Sequence, residues 1–356
     1  MKVLTIANEK GGVGKTLLTT QFAYYCALKF GLKTVVLDFD QQGNTSSILE
    51  GSGKTTPAAF TSFEMFTRDL KEEITAQEGD FLLCKAENRL SVLEKQGDEA
   101  HGKYAQQLKS NISYFESKGY DLMIIDTNPN PDVRSDLGLF VCTHLLSPIA
   151  LNKEPIDGIV RLCDRIDAIS SFNPNLPGGF LGILPNILES SWRFQMNNAK
   201  ELMANFGNLL LKTREISLKC YLDENKKLQL LKEDGDATFS EKKAFCAIKS
   251  HAAIAEAQQR NLPIWEMQNG TEAWAEMKRA FFSILESLNI RKECSCNNEE
   301  IALIDKVKST YGLKAYSQAL RQFFLTDNTK SLPKLSISEI HELRALRSKI
   351  PFSETL

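Results

Sequence analysis

The chain has 356 residues, 42% hydrophobic and 25% charged, enough apolar material for one large or two medium cores and too much for a disordered or fibrous protein. Lys and Arg number 43 against 45 Asp and Glu, a net charge of -2, so binding to nucleic acid or an anionic membrane has to come from a local patch rather than the whole molecule. Eight cysteines form neither a CxxC pair nor a regular ladder, which points to a reduced cytoplasmic setting; with no leader-like start and no unbroken apolar run of about 18 residues, secretion and membrane spanning are not expected.

Residues 2 to 8, KVLTIAN, are short, β-branched and apolar, and a glycine cluster follows before Leu17, Phe22, Tyr25 and Leu28 set a helical period. That helix is expected to end near Gly31, and TVVLDFD at 34 to 40 reads as a buried strand. A βαβ unit opens the chain. DFLLCKA (80 to 86) and YDLMIID (120 to 126) predict two further strands that bracket a helical stretch around Tyr104 to Ser117, and FLGILPN (180 to 186) is another apolar run. This alternation implies an α/β fold with a doubly wound, mostly parallel sheet flanked by helices. From 187 to about 245 a mostly helical, polar stretch reads as an insertion or lid. The body then resumes and closes near residue 292, and residues 293 to 356 form a helical extension. Within residues 291 to 356 there are 11 Lys or Arg and 8 Asp or Glu, a positive local balance.

Between the first strand and the first helix lies Lys10-Gly11-Gly12-Val13-Gly14-Lys15-Thr16. A phosphate chain needs backbone N–H donors unobstructed by Cβ atoms, a helix N-terminus, a fixed cation and a hydroxyl for Mg2+. All four are present: the glycines shape the loop, Lys15 is placed to reach the β- and γ-phosphates, and Thr16 to ligate the metal. The ordinary phosphate-loop pattern asks for glycine at position 9, which is Glu9 here, while Lys10 adds a second lysine.

That variant resembles the deviant Walker A motif of the ParA/MinD family of P-loop ATPases. VVLDFD followed by QQGNTS is similar to the family's second motif, with Asp38, Asp40, Gln42, Gly43 and Asn44 in place and Gln41 where proline is usual. Asp126, closing LMIID, fits the Walker B position, although Asp-Thr-Asn-Pro-Asn at 126 to 130 stands where Asp-Thr-Pro-Pro is usual. Ile248, Glu256, Ala257, Pro263 and Ile264 keep the spacing of a late family segment, with Lys249 and Ser250 replacing its Pro-Arg. The likeness spans roughly residues 1 to 290.

The resemblance implies ATP and Mg2+ as cofactors, with Gly11, Gly12, Val13, Gly14, Lys15, Thr16 and Leu17 around the phosphates and Asn186 against the base. Thr16, Asp126 and Asp40 would form the metal's shell. Asp40 would orient the attacking water, a task that suits a carboxylate at the C-terminal end of a strand. Lys10 would reach across an ATP-dependent homodimer to the partner's phosphates, alongside Lys15, and neutralise developing charge. The expected activity is slow, partner-stimulated ATP hydrolysis that drives partition or positioning of plasmid or chromosomal DNA. The dimer would bind DNA nonspecifically, in the cytoplasm at the nucleoid, and a ParB-like adaptor would stimulate hydrolysis.

Lys278, Arg279, Arg291 and Lys292 are candidates for the DNA stripe, with a solvated surface as the plainer account. Since the loop begins at Lys10, an N-terminal helix-turn-helix domain is not expected. Two other family functions stay open. One is a MinD-like ATPase that binds membrane through the apolar face Ile337, Ile340, Leu343, Leu346 and Ile350, although that face lacks the bulky aromatics of an anchor and packing against the protein's own body explains most such helices. The other is a DNA-recruiting ATPase of a conjugation or secretion system. GSGKTT at 51 to 56 imitates a second phosphate loop but has no preceding buried strand and reads as a plain loop. Cys294 and Cys296 supply too few ligands for zinc, and Cys142 and Cys163 read as packed thiols rather than cluster ligands.

Overall fold

A computed structural model describes residues 1–151, 155–189, 193–211, 220–222, 228–230 and 246–290. Met1–Leu288 makes one compact unit and Asn289–Leu356 a second. Apart from Asn289 and Ile290 the second unit lies outside the described residues, as do the terminal apolar face, the Cys294/Cys296 pair, Arg291 and Lys292.

In chain order the elements begin with β1 (Lys2–Ile6), α1 (Lys15–Tyr24), β2 (Thr34–Asp38) and α2 (Asn44–Gly51). Then come β3 (Thr56–Pro57), α3 (Glu64–Thr67), α4 (Lys71–Ala76), β4 (Phe81–Cys84), α5 (Asp98–Ser117), β5 (Leu122–Asp126) and α6 (Val133–Val141). β6 (His144–Ile149), α7 (Pro155–Ser170), α8 (Leu176–Gly179), β7 (Phe180–Pro185) and α9 (Arg193–Phe206) follow. A two-stranded antiparallel pair, β8 (Cys220–Leu222) and β9 (Leu228–Leu230), precedes α10 (Ala252–Gln259) and α11 (Thr271–Ser287).

β1 to β7 form one parallel sheet in the order β3-β4-β2-β5-β1-β6-β7. The chain leaves β1 for β2 on one side and later returns to β6 on the other. β1 therefore sits at the point where strand order reverses, and the crevice beyond its C-terminal end is where such a sheet binds ligand. Every residue of β2 and β5 is buried, which explains their unbroken apolar sequences: strands covered on both faces have no solvent side to alternate with. One face carries Val3, Val35, Leu37, Met123 and Ile125 against Leu108, Ile112 and Phe115 of α5 and Leu162 and Ile166 of α7. α1 packs on α11, where Phe22 and Phe281 have ring centroids 5.3 Å apart. A buried amide clamps α1 further. Gln21 donates to the Leu262 carbonyl at 3.0 Å and accepts from the Ile264 N–H at 2.8 Å.

The predicted strands and the βαβ opening are present. α1 runs on through a π-type turn, Tyr25–Lys29, to Phe30, where the helix was expected to stop. α5 starts at Asp98 rather than near Tyr104, its first turn carrying Asp98 and Glu99 at the positive end of the helix dipole. β6 lies in a stretch not read as a strand, and it contains Pro148, which removes a ladder donor. The chain tolerates it there since β1 pairs with β6 only through Leu146. The stretch read as an insertion from 187 does not begin outside the body. Leu188, Ala199, Leu202 and Leu210 are buried with Ile149, Leu151, Ile159 and Ile183. Gly182, at φ 130°, makes this possible, since a Cβ there would lie 2.7 Å from the Leu211 nitrogen.

Candidate nucleotide site

The loop after β1 is held from below by Asn8. Its buried side chain donates to Ser147 Oγ at 3.2 Å and to the Pro148 carbonyl at 2.9 Å, while its Oδ1 accepts the Lys10 N–H at 2.9 Å. Gly11 and Gly12 are exposed at the crest, and Val13 is buried beneath. Gly14 precedes α1 at φ 84°, a left-handed conformation that glycine adopts without penalty, and a Cβ there would collide with Asn186 Nδ2. Lys15 opens the helix with its side chain turned back into the loop, where Nζ donates to the Asn8 carbonyl at 2.9 Å and the Lys10 carbonyl at 3.1 Å. Burial lowers the Lys15 pKa from its ordinary value, while Asp126 and Asp40 pull it back up. The loop thus encloses a partly desolvated cation at a helix N-terminus, the arrangement that attracts a polyanion.

The acids come from the neighbouring strands. Asp38 and Asp126 are paired in register at the ends of β2 and β5. Asp38 Oδ2 accepts from the Ser46 N–H at 2.8 Å and hydroxyl at 2.7 Å, and its Oδ1 from the Asp40 N–H at 3.1 Å. Asp126 Oδ2 accepts from the hydroxyls of Thr16 at 3.0 Å and Thr45 at 2.5 Å. Burial first, and then the other's charge, pushes Asp38 up from the ordinary carboxylate range. Asp126 is pushed up to about 6, chiefly by burial, against the pull of Thr45, Lys15 and Thr16.

Asp126 Oδ1 is buried and takes no hydrogen bond. A buried carboxylate oxygen without a donor is costly unless a cation satisfies it, and with the Thr16 hydroxyl next to it the donor set is hard oxygen, as Mg2+ prefers. Among the described residues no three His, Cys, Asp or Glu side chains could hold a metal by themselves. That agrees with Mg2+, which usually takes one or two protein ligands and completes its octahedron with phosphate and water. Thr16 and Asp126 fit the metal.

Residues 1–177 match the family model described as an AAA domain. Protein IncC of Escherichia coli is 30% identical over 214 residues, covering 59% of this chain and 57% of IncC. The chain thus spans little more than half the length of that relative. Chromosome partitioning protein ParA of Caulobacter vibrioides is 26% identical over 219 residues, covering 58% of this chain and 78% of that protein. These matches support the likeness to the ParA/MinD family of P-loop ATPases. The fold agrees. A complex of Cyanothece McdA(D38A) with ATP superposes with a TM-score of 0.60 at 17% identity, covering 82% of this chain and 97% of that one.

The expected ParA/MinD residues Gly11 to Leu17, Asp40 and Asp126 converge on this crevice. Asp40 is half-buried, with Oδ1 accepting the Gln42 N–H at 3.0 Å and its charge acting on both Lys15 and Asp126. Lys10 is half-buried at the loop's start. Asn186 follows β7 and is fully buried. Its Nδ2 donates to the Val13 carbonyl at 3.0 Å, and its Oδ1 takes no hydrogen bond. Lys249, where the family has Pro-Arg, forms an ion pair with Glu276 of α11 at 3.1 Å, beside His251 at 3.0 Å. Lys278 and Arg279 are half-buried on α11. Cys142 is buried and Cys163 half-buried. Among the described residues no helix is long and apolar enough to cross a membrane.

The sequence reading missed Asn8 and Thr45. Thr45, directly after the QGN segment, carried the available signal: a hydroxyl at the second position of a helix whose preceding loop holds acids. Asn8 carried none, since an asparagine after a strand is an ordinary turn residue.

Proposed function

We propose that this chain is a ParA-type ATPase that uses ATP and Mg2+ to position DNA or another large cargo. The observation that carries the reading is the junction of Lys15, Thr16 and Asp126 at the N-terminus of α1, with the unsatisfied Asp126 Oδ1 pointing to a cation. The naming of its relatives, IncC and a chromosome partitioning ParA, supports the biological role.

Phosphate oxygens would take over the donors that Lys15 now spends on the Asn8 and Lys10 carbonyls, and the exposed Gly11 and Gly12 backbone would wrap the chain. Thr16 and Asp126 would hold Mg2+ directly, with Asp40 joining through water; the ion would neutralise charge on the β- and γ-phosphates. Asp40, at the mouth of the crevice beyond β2, would orient the attacking water. Asn186, packed on the phosphate loop, has an acceptor to offer the base. Lys10 of each subunit would reach the partner's phosphates, making ATP the cement of a homodimer. The dimer would bind DNA nonspecifically, with Lys278, Arg279, Arg291 and Lys292 as candidate phosphate contacts that dimerisation doubles. A ParB-like adaptor would accelerate a slow intrinsic hydrolysis and so release it at the nucleoid.

The test is light scattering coupled to size exclusion on an Asp40→Ala protein with ATP and Mg2+. A trapped dimer is expected, and it should shift DNA in a mobility assay without cosedimenting with liposomes. A protein that stays monomeric with saturating ATP refutes the dimer cycle, and ATP-dependent liposome binding without DNA binding refutes the DNA role.

A further inference from the structure

Three loops face the crevice: residues 8–14 after β1, 39–43 after β2 and 127–132 after β5. Two arginines from outside them link the first loop to the third and the third to the second. Arg165, on α7, is 14% exposed. It forms an ion pair with Glu9 of the first loop at 3.0 Å, donates to the Asp132 carbonyl of the third at 3.3 Å, and is anchored to Asp136 of α6 at 2.6 Å. Arg134, the second residue of α6, is 2% exposed. Its guanidinium donates to Asp132 Oδ2 at 2.6 Å and Oδ1 at 3.3 Å, to Gln41 Oε1 of the second loop at 3.4 Å, and to Glu94. Asp132 also caps the N-terminus of α6 and accepts from Asn128.

Asp132 is therefore a hub whose carboxylate and carbonyl take both arginines. Burial alone would raise its carboxyl pKa, yet the hydrogen bonds and charge of Arg134, with a further bond from Asn128, hold it below the ordinary value. An arginine fork buried this far keeps its place only when its donors are matched, and breaking one partner of such a pair is strongly felt. The brace runs through two of the places where the chain departs from the family pattern: Gln41 and Asn128 stand where prolines would stiffen the loops covalently. The Gln41 contact is the longest and would open first.

We infer that Arg165 and Arg134, joined through Asp132, are positioning residues that make the three nucleotide-facing loops move as one body. Neither touches the reacting atoms. They set where Glu9, and with it the neighbouring Lys10, and Gln41, and with it the neighbouring Asp40, stand relative to each other. The inference about turnover rests on the proposed ATPase function; the inference about coupled loops does not.

The experiment is hydrogen exchange by mass spectrometry on the full chain, with Arg165→Gln and, separately, Gln41→Ala, whose half-buried side chain is the safer one to remove. Arg165→Gln is expected to raise exchange about ten-fold in loop 39–43, which Arg165 does not touch, as well as in 8–14 and 127–132. Gln41→Ala is expected to loosen 127–132 and 8–14 in return, and it decides the matter if Arg165→Gln does not fold. Loosening confined to the loop each side chain contacts overturns the brace. In steady-state ATP hydrolysis both variants should lose about ten-fold in kcat with KM changed less than about two-fold, the signature of misplacement rather than lost binding. Unchanged kcat with loosened loops overturns the positioning role. A wild-type chain that hydrolyses no ATP overturns the proposed function and leaves the exchange result to judge the brace.

Discussion

Replacing Asp126 by Asn should make the nucleotide-free protein more stable at pH 8 and insensitive to Mg2+. The carboxyl is fully buried, its pKa raised from 3.8 to about 6, mainly by desolvation. A group whose pKa is higher in the fold than in the unfolded chain favours folding while protonated. That contribution is complete below about pH 4 and gone once pH has risen through about 6. The displacement corresponds to about 3 kcal/mol. Asn keeps the shape and an acceptor for Thr16 and Thr45, and its amide nitrogen replaces Oδ1, which is already unsatisfied, so one unpartnered polar group stands in for another. Lys15 loses an attractive neighbour, which returns part of the gain, while Asp38 is relieved of a repulsive one. A net stabilisation of about 1 to 2 kcal/mol at pH 8, shrinking toward pH 5, is expected. His144, whose pKa burial depresses, gives both proteins stability as pH rises and cancels in the difference. Urea midpoints at pH 5, 6, 7 and 8, with and without Mg2+ and ATP, read the effect. An Asp126→Asn protein less stable than wild type at pH 8 without Mg2+, or a gap that does not change with pH, refutes the reasoning.

Asn111 is fully buried and serves three backbone groups, donating to the Met65 and Arg68 carbonyls and accepting the Leu70 N–H. Asn111→Ala should cost about 3 kcal/mol in urea unfolding, with ATP affinity unchanged. Gln21→Ala removes both bonds of the clamp between α1 and the segment after α10 and should cost about 2 kcal/mol by the same measure. Gly14→Ala forces a Cβ into a left-handed residue and against Asn186. It should cost about 1 to 2 kcal/mol and abolish ATP binding in calorimetry, whereas Gly53→Ala, also at positive φ but with nothing within 4 Å, should cost about 1 kcal/mol and leave binding intact.

The chemistry of the site was legible where it is written in consecutive residues. Lys10 to Thr16 fixes a loop by glycine spacing, and Asp40 and Asp126 end apolar runs that have no other reading than buried strands, so the sheet order itself brings them to the loop. What stayed hidden is contact between residues far apart in sequence. Arg165 and Glu9 are separated by 156 positions. No local pattern distinguishes an arginine that will be buried from one on a solvated helix face, because only tertiary packing removes its water. The same physics explains β6: Pro148 argues against a strand locally, and only the short reach of β1 along that edge makes it harmless. Asn8 is the sharpest case. Its role depends on Ser147 and Pro148 of that unforeseen strand, so the anchor of the most legible motif in the chain was invisible until its least legible strand was placed.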